Sequence, residues 1–340
     1  MALEVRPEEP SSALRAEAER VAALFAARGA EPFETSVLQP AGPLLDLYGE
    51  DIRARAFVTA DPLRGETMLR PDFTVPLVRD HVAGGRGAAR YAYAGEVFRR
   101  QEVPGRAREY VQVGFELFGG GVEADAEAFG AVAEAVGGAA APVIGDIGLL
   151  LAAVRGLETS PRRRAALLRH VWRPARFRAL LARYAERPPM PGPAGAAEEI
   201  GARSRAEVEA RRAAMEADAA VPPLAPGQVA PLEALIALRG RAGDALEAAG
   251  RLDAPGLAPA VERLAARLDA MGARDLPFEA TLGRASMEYY DGFTFVFAAK
   301  GGPPVATGGR YDALVRAMGG DVPAVGGVVR PAALVGAGTC

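Results

Sequence analysis

Apolar residues at helical spacing mark the first element of the chain. Residues 11–29 repeat apolar side chains every three or four positions, at Leu14, Ala18, Val21, Leu24 and Phe25. A serine at position 11 or 12 is a suitable N-cap, and Gly29 is a suitable stop. The pattern therefore predicts an amphipathic opening helix.

Strand-like runs follow this helix. They cover residues 55–60, 66–70, 90–99 and 108–118. One helix is expected to begin near Thr74, between the second and third runs, and another to span residues 123–136. A mixed order of strands and helices is typical of an α+β fold, in which an antiparallel sheet carries flanking helices.

The middle of the chain has a different character. From about 158 to 275, Ala, Arg, Leu and Glu recur at helical spacing, with proline-rich interruptions. Strand signals return at 277–282, 293–299 and 304–307. We therefore predict a core domain built from residues 1–157 and 276–340, whose sheet recruits strands from both parts, and a helical insertion region at 158–275.

A hairpin at residues 93–119 carries the clearest candidate chemistry. Its turn is crowded with arginines, at Arg99, Arg100, Arg106 and Arg108. In its second strand, Gln112, Gly114 and Glu116 share one face, and the glycine is predicted to leave an open floor for a ligand. Arg99 can add a guanidinium from the neighbouring strand. Such groups together suit a zwitterion, and a solvated surface hairpin is the alternative.

Composition excludes several classes of protein. Half of the 340 residues are apolar, which is enough for a sizeable core, and the formal net charge of -3 argues against a broad nucleic-acid surface. One cysteine, Cys340, and two histidines, His81 and His170, leave little material for a zinc centre, a disulfide framework or a catalytic triad. Lys300 is the only lysine, and no phosphate-binding loop ending in Gly-Lys-Ser or Gly-Lys-Thr is present. We expect neither a metal nor a cofactor.

The sequence has no pattern typical of membrane insertion or export. No apolar run approaches the roughly 18 residues of a membrane span, and the chain starts with an acidic segment rather than a basic leader. The expectation is a soluble, cytoplasmic protein without a membrane partner.

Four motifs together resemble one known family. They are LRPDFTVPLVR (69–79), the hairpin with FRRQ followed by GRAREYVQVGFELFG, YYDG (289–292) and GGRYDALV (308–315). In kind and in order they are similar to the signatures of the histidyl-tRNA synthetase family. The resemblance implies a class II aminoacyl-tRNA synthetase-like fold, an antiparallel sheet with flanking helices that dimerises and holds histidine and ATP.

The resemblance implies a histidine pocket in this chain. Its side chains are Asp72, Thr74, Arg99, Gln112, Glu116, Tyr289 and Tyr290. Asp72 would accept from the α-ammonium group, and Gln112 would lie near the same polar end. Glu116 would face the imidazole, and Tyr290 would meet the other ring nitrogen, so that each nitrogen has a partner. Ordinary strand packing is the alternative for the two tyrosines.

The residues that would handle ATP depart from the family. The segment RASMEYY has Ala285 where the family carries an arginine, and Arg284 is one position out of register. Gln101 replaces a glutamate, and Ala333 in PAVGGVVRPAAL replaces an arginine that grips the triphosphate. Losing one such group commonly costs roughly two to three decades in rate. The departures imply that this chain does not activate histidine.

These departures resemble a non-catalytic branch of the family. The sequence ends at Cys340, directly after the last motif, so we expect no anticodon-binding domain and no tRNA partner. A synthetase paralogue of this kind is similar to the regulatory subunits of ATP phosphoribosyltransferase. The resemblance implies a homodimeric subunit that activates a short-form catalytic subunit. It also implies that histidine is the effector of feedback inhibition, in the first step of histidine biosynthesis.

Two other functions stay open. One is a truncated synthetase-like ligase that activates free histidine or aminoacylates a carrier other than tRNA. The other is a structural or interaction protein that has kept only the dimer fold. Adenylate formation separates the ligase from a regulatory subunit, and an absence of histidine binding favours the structural protein.

Overall fold

Twelve strands and twelve helices make up the described part of the chain. The computed structural model describes residues 12–42, 45, 53, 55–63, 65–100, 107–186, 204–283, 289–299 and 302–337. The strands are β1 (Glu31–Pro32), β2 (Leu38–Pro40), β3 (Val58–Asp61), β4 (Gly65–Leu69), β5 (Ala89–Phe98), β6 (Glu109–Phe118), β7 (Ala141–Asp146), β8 (Arg239–Arg241), β9 (Pro277–Glu279), β10 (Phe293–Ala298), β11 (Pro304–Arg310) and β12 (Ala324–Val329). The helices are α1 (Ser12–Ala27), α2 (Thr74–Ala83), α3 (Val122–Val136), α4 (Ile147–Arg155), α5 (Pro161–Arg169), α6 (Pro174–Ala185), α7 (Arg205–Ala220), α8 (Pro226–Ala237), α9 (Ala242–Gly250), α10 (Ala258–Met271), α11 (Asp312–Ala317) and α12 (Pro331–Ala337).

The main sheet has nine strands in the order β1-β5-β6-β12-β11-β10-β7-β9-β8 among the described residues. Its neighbours are antiparallel, except that β1 pairs with β5 and β7 pairs with β9 in parallel. A separate three-stranded sheet has the order β2-β4-β3. The predicted α+β fold, with an antiparallel sheet and flanking helices, is confirmed.

Two helices cover one face of the main sheet. On α1, the ring of Phe25 stacks on Phe115 of β6 with centroids 5.2 Å apart. On α3, Ala128, Ala131 and Val132 are fully buried in the same apolar core. Small side chains on α3 let the helix approach the strands closely, so burial of this face drives helix and sheet together.

The opposite face of β6 carries different chemistry. Val113 and Phe115 point into the core under the helices, whereas Gln112, Gly114 and Glu116 alternate with them. We call the face with Gln112 and Glu116 the site face. It is covered by α2 and by a second buried cluster rich in aromatic rings.

The region predicted to be a helical insertion contains α5 to α10 and one short strand. That strand, β8, pairs with β9 at the edge of the main sheet. From α10, the buried Arg267 donates to Asp125 of α3 at 2.6 Å and to Asp146 at the end of β7. The region is therefore tied to the core by a buried ionic network, and the domain boundaries given above stay a prediction.

The sequence patterns missed one strand at the centre of the main sheet. β12 reads AVGGVV and lies between β6 and β11. Its glycines weaken the strand signal, and both are required by packing. A Cβ at Gly326 would overlap the Glu116 carboxylate, and one at Gly327 would lie 2.8 Å from Val132 of α3. Close approach from both faces of the sheet therefore dictates a glycine pair in a buried strand.

A search of the described helices finds none that is long and apolar enough to cross a membrane.

Candidate functional site

The hairpin of β5 and β6 builds one wall of the site. Its register places Tyr93 opposite Gly114 and Gly95 opposite Gln112. The predicted open floor at Gly114 is wrong, because a Cβ there would overlap the Tyr93 ring. Tyr93 in turn stacks on Phe73, with centroids 4.4 Å apart and an interplanar angle of 11°. The glycine makes room for a tyrosine rather than leaving a vacant surface.

Glu116 lies at the centre of the site with 2% of its surface exposed. Its Oε1 accepts from the hydroxyls of Thr74 at 2.9 Å and Tyr93 at 3.2 Å, and its Oε2 accepts from the Tyr311 hydroxyl at 2.7 Å. We call these three donors the hydroxyl cage. Burial raises the pKa of Glu116 to about 7, although the cage opposes the shift. The carboxylate is thus hydrogen-bonded but has no cationic partner at hydrogen-bonding distance among the described residues.

The start of α2 positions Thr74 and Asp72. Pro71 precedes the helix, and Asp72 Oδ1 accepts from the backbone N–H of Val75 at 3.0 Å, as a residue at a helix N-terminus commonly does. Burial raises the pKa of Asp72, and the charge of Arg99 opposes that shift. A carboxylate has acceptor capacity beyond these backbone bonds, so Asp72 can serve both the helix and a ligand.

Arg99 follows the last residue of β5 and turns toward α2. Its Nε donates to the Pro71 carbonyl at 2.8 Å, and its guanidinium lies 6.0 Å from the centroid of the Tyr110 ring. The exposed Arg100 and Arg108 lie outside the site, and Arg106 falls outside the described residues. Of the described arginines of the predicted turn, only Arg99 reaches the candidate pocket.

Tyr289 and Tyr290 stand just before β10 and close the site from the other side. Their ring centroids are 4.6 Å apart, and Tyr290 lies 6.3 Å from the Tyr311 ring. Burial raises the pKa of both hydroxyls, and the negative charge of Glu116 raises both further. The structure therefore brings the two tyrosines to the Glu116 end of the site with their hydroxyls protonated.

Gln112 is buried on the site face but stands apart from the hydroxyl cage. No side-chain hydrogen bond joins it to the other predicted site residues in the described part of the chain. Across the sheet, β12 pairs with β6 as far as Val329 opposite Val113, so Arg330 comes next to Gln112. Gln112 thus marks a second end of the site, about four residues along β6 from Glu116.

Of the positions that depart from the synthetase pattern, Ala333 falls within the described residues. It lies away from the site face. It is half-buried on α12 and packs against the core under the helices. Ala285, Arg284 and Gln101 lie outside the described residues. No group of three or more His, Cys, Asp or Glu side chains that could hold a metal is found in the described ranges.

Sequence reasoning missed three residues of the site, namely Tyr93, Tyr311 and Arg330. Tyr93 could have been found from period-two spacing, because it shares a face with Gly95 on β5. Tyr311 lies in the motif GGRYDALV but received no role. No sequence pattern pointed to Arg330, because the strand that positions it was not predicted.

The comparisons with known proteins cover nearly the whole chain. A family model described as histidyl-tRNA synthetase matches residues 3–334. An ATP phosphoribosyltransferase regulatory subunit of Mesorhizobium japonicum is 33% identical over 355 residues, covering 91% of this chain and 94% of that protein.

Solved structures agree on the fold. The structure of an ATP phosphoribosyltransferase regulatory subunit/histidyl-tRNA synthetase from Bacillus halodurans matches with a TM-score of 0.70 and 22% identity, covering 96% of this chain and 78% of that one. A histidine–tRNA ligase subunit from Alicyclobacillus acidocaldarius matches with a TM-score of 0.63 and 23% identity, covering 100% of this chain and 98% of that one. The predicted class II synthetase-like fold is confirmed. The chain therefore belongs to the family of ATP phosphoribosyltransferase regulatory subunits, which have the histidyl-tRNA synthetase fold.

Proposed function

We propose that this chain is the regulatory subunit of an ATP phosphoribosyltransferase complex. In this role it binds and activates a short-form catalytic subunit, and it senses histidine for feedback inhibition of the first step of histidine biosynthesis. The name of the relative from Mesorhizobium japonicum supports the role in a complex. The environment of Glu116 supports histidine as the effector.

Glu116 is the observation that carries the proposal. A carboxylate with 2% exposure that accepts only from hydroxyls of the described residues has lost its hydration without gaining a counter-charge from that part of the chain. Its pKa of about 7 lies close to the ordinary value for imidazole. A ring N–H in place of one hydroxyl can donate to Glu116 and can carry a proton at neutral pH. Imidazole therefore suits this carboxylate better than an apolar or an acidic side chain.

The remaining predicted residues fit the other parts of histidine in this proposal. Tyr290 carries a protonated hydroxyl that can meet the second ring nitrogen. Asp72 provides acceptors for the α-ammonium group, and Gln112 lies toward the polar end of the ligand. A selective site needs both ring nitrogens and both charged groups to be satisfied, because an unpaired buried polar group costs affinity.

The departure at Ala333 supports a role without adenylate formation. Its methyl group packs into an apolar core and offers no positive charge to a triphosphate. Histidine-dependent exchange of pyrophosphate into ATP tests this point. We expect no exchange above background from the isolated protein, and clear exchange would favour the truncated synthetase-like ligase.

We further propose that the chain forms a homodimer within the complex. Class II cores of this kind associate through the sheet-bearing domain, and dimer formation then contributes to stability. Light scattering at micromolar concentration should give a mass of two chains, and a mass of one chain would contradict the dimer. Co-purification with the short-form catalytic subunit of the same genome tests the hetero-oligomer.

The sensing role is tested by Glu116→Ala in the reconstituted complex. Loss of a charged hydrogen-bond partner should weaken histidine binding by roughly 1.5 to 3 kcal/mol. Since an effector shifts an equilibrium only through different affinities for two states, the variant complex should stay active and need far more histidine for inhibition. Glu127→Ala, which removes a surface ion pair with Arg90, is the matched control. Unchanged inhibition in a Glu116→Ala complex that no longer binds histidine would place the regulatory site elsewhere.

A further inference from the structure

A cavity of about 390 Å³ lies at one end of the main sheet, where β7 and β11 end and β10 and β12 begin. Helices α3, α4, α10 and α11 close its sides. Five arginines and four aspartates of the described chain line it, and none of the predicted histidine-site residues does. Its volume lies within the range of about 300 to 1,000 Å³ that is common for ligand pockets. The cavity is therefore a second place in the molecule with room for a small organic ligand.

Two segments contribute to both the candidate site and this cavity. Tyr290 belongs to the aromatic cluster of the site, and the next residue, Asp291, lines the cavity. Tyr311 belongs to the hydroxyl cage, whereas Arg310 and Asp312 on either side of it line the cavity. The two places are thus adjacent but use different side chains.

Ion pairs fill the bottom of the cavity. Arg267 donates to Asp125 at 2.6 Å and also pairs with Asp146. Arg310 pairs with Asp125 at 2.7 Å and with Asp312 at 3.2 Å. We call these two arginines and three aspartates the cavity floor. Its carboxylates are already neutralised by its own arginines.

Three exposed arginines stand at the opening of the cavity. They are Arg155 at the end of α4, Arg263 on α10 and Arg316 on α11, and we call them the mouth arginines. Arg316 Nη2 donates to Asp291 Oδ2 at 2.7 Å. The guanidinium groups of Arg155 and Arg263 form no hydrogen bond or ion pair with any residue that the structure describes. Most N–H donors of the mouth arginines are therefore available.

The charges of Arg155 and Arg263 reach the cavity through space. Burial raises the pKa of Asp291 to about 6, and Arg155 is among the charges that oppose this shift. Burial likewise raises the pKa of Asp146, and Arg263 is among the charges that oppose it. Each of the four aspartates has its direct ion pair with another arginine of the lining. The two guanidinium groups thus add positive charge at the mouth beyond what the direct pairs use.

The donors at the mouth indicate the chemistry of the ligand. A guanidinium fork pairs well with the oxygens of a phosphate or a carboxylate, and a phosphate monoester offers three strong acceptor oxygens to several forks at once. A phosphate group alone fills only part of the cavity. The paired carboxylates of the floor would repel a second anion, but they retain acceptor capacity for hydroxyl groups. The cavity therefore fits a molecule with a phosphate at one end and hydroxyl groups at the other.

We propose that this cavity binds a small organic phosphate that carries hydroxyl groups, with the phosphate at the mouth arginines and the hydroxyl groups over the cavity floor. The proposal goes beyond the proposed function, because it adds a second ligand site that does not depend on histidine binding.

Calorimetry with three probes tests the site. Ribose 5-phosphate carries both the phosphate and the hydroxyl groups, ribose lacks the phosphate, and inorganic phosphate lacks the sugar. The wild-type protein should bind ribose 5-phosphate saturably and more tightly than inorganic phosphate. Ribose alone should give no measurable binding, because it offers nothing to the guanidinium forks.

Variants of the mouth arginines locate the phosphate. The double variant Arg155→Gln with Arg263→Gln should weaken ribose 5-phosphate binding roughly 10- to 100-fold, the range of a charged hydrogen bond. The corresponding double lysine variant keeps the charges without the planar forks and should retain part of the affinity. Arg274→Gln, which removes an exposed arginine paired with Asp269, is the matched control and should leave the affinity unchanged. Because the substituted side chains are exposed, the urea midpoint should be the same in all variants.

The outcomes separate this inference from the proposed function. An absence of saturable ribose 5-phosphate binding by the wild-type protein would overturn the inference and leave the histidine proposal standing. Unchanged binding in the double glutamine variant would also overturn it, since the phosphate would then lie elsewhere. Equal affinity for inorganic phosphate would overturn the assignment of an organic ligand. Failure of the wild-type protein to bind histidine would overturn the sensing role alone, because the two places share no side chain.

Discussion

Glu116→Gln should make the protein more stable at alkaline pH than the wild type. Burial raises the pKa of Glu116 to about 7 in the folded protein, from its ordinary value of 4.5. A carboxyl whose pKa rises on folding binds its proton more tightly in the native state. Stability therefore falls as the pH rises from about 4.5 to about 7. At about 1.4 kcal/mol for each pKa unit, the full cost of the ionised form is about 3 kcal/mol.

Urea unfolding at pH 5 and pH 8 measures this effect. Trp172, the only tryptophan in the sequence, is half-buried against both apolar clusters and reports the transition by fluorescence. Between these two pH values the wild type should lose about 2 to 3 kcal/mol relative to Glu116→Gln. Asp291, whose pKa is raised to about 6 by burial, titrates in the same range, but it is present in both proteins and cancels in the difference.

A parallel pH dependence in the two proteins would refute this reasoning. It would mean that water reaches the Glu116 carboxylate in solution and that the residues of the hydroxyl cage do not exclude it. Glu127→Gln is the matched control, because Glu127 forms a surface pair with Arg90 and surface pairs contribute little. Its difference from the wild type should be the same at both pH values.

Two other substitutions test the packing of the site and of the core. Gly114→Ala should cost about 1 to 3 kcal/mol in urea unfolding because the new methyl group displaces Tyr93. Gly130→Ala, in a helix with nothing within 4 Å of the new Cβ, should instead stabilise by a few tenths to 1 kcal/mol. Arg267→Met should cost about 3 to 5 kcal/mol, because it removes the ion-pair partner of the buried Asp146 and leaves the buried Asp125 with Arg310 alone. Arg274→Met, which removes an exposed pair, should cost less than about 1 kcal/mol, and equal losses would contradict the role of the buried network.

Local patterns were enough to predict the elements whose signal lies within one segment. The opening helix runs from Ser12 to Ala27, close to the predicted 11–29, and the second helix begins at Thr74 as expected. Alternation along β6 correctly placed Gln112 and Glu116 on one face. Each of these depends on spacing between near neighbours in sequence, which is the information that periodicity carries.

What escaped prediction depends on contacts between distant segments. Tyr311 reaches Glu116 across 195 positions, and no period within either segment encodes that hydrogen bond. The AVGGVV strand has weak strand propensity by itself because it contains two glycines. These glycines leave room for the Glu116 carboxylate on one face and for α3 on the other. The role expected for Gly114 was wrong for the same reason, since the side chain that fills its space comes from another strand.

The burial of Glu116 connects the candidate site with the proposed function. Glu116 is desolvated among hydroxyl groups, and no cation of the described residues lies at hydrogen-bonding distance from it. This arrangement costs stability, and such a cost persists where a ligand supplies the missing partner. Under the proposed function, a basic ring placed at Glu116 relieves that cost on binding. If the catalytic partner changes the environment of Glu116, the binding free energy differs between the two states of the complex, and that difference couples occupancy of the site to the state of the partner without a catalytic step.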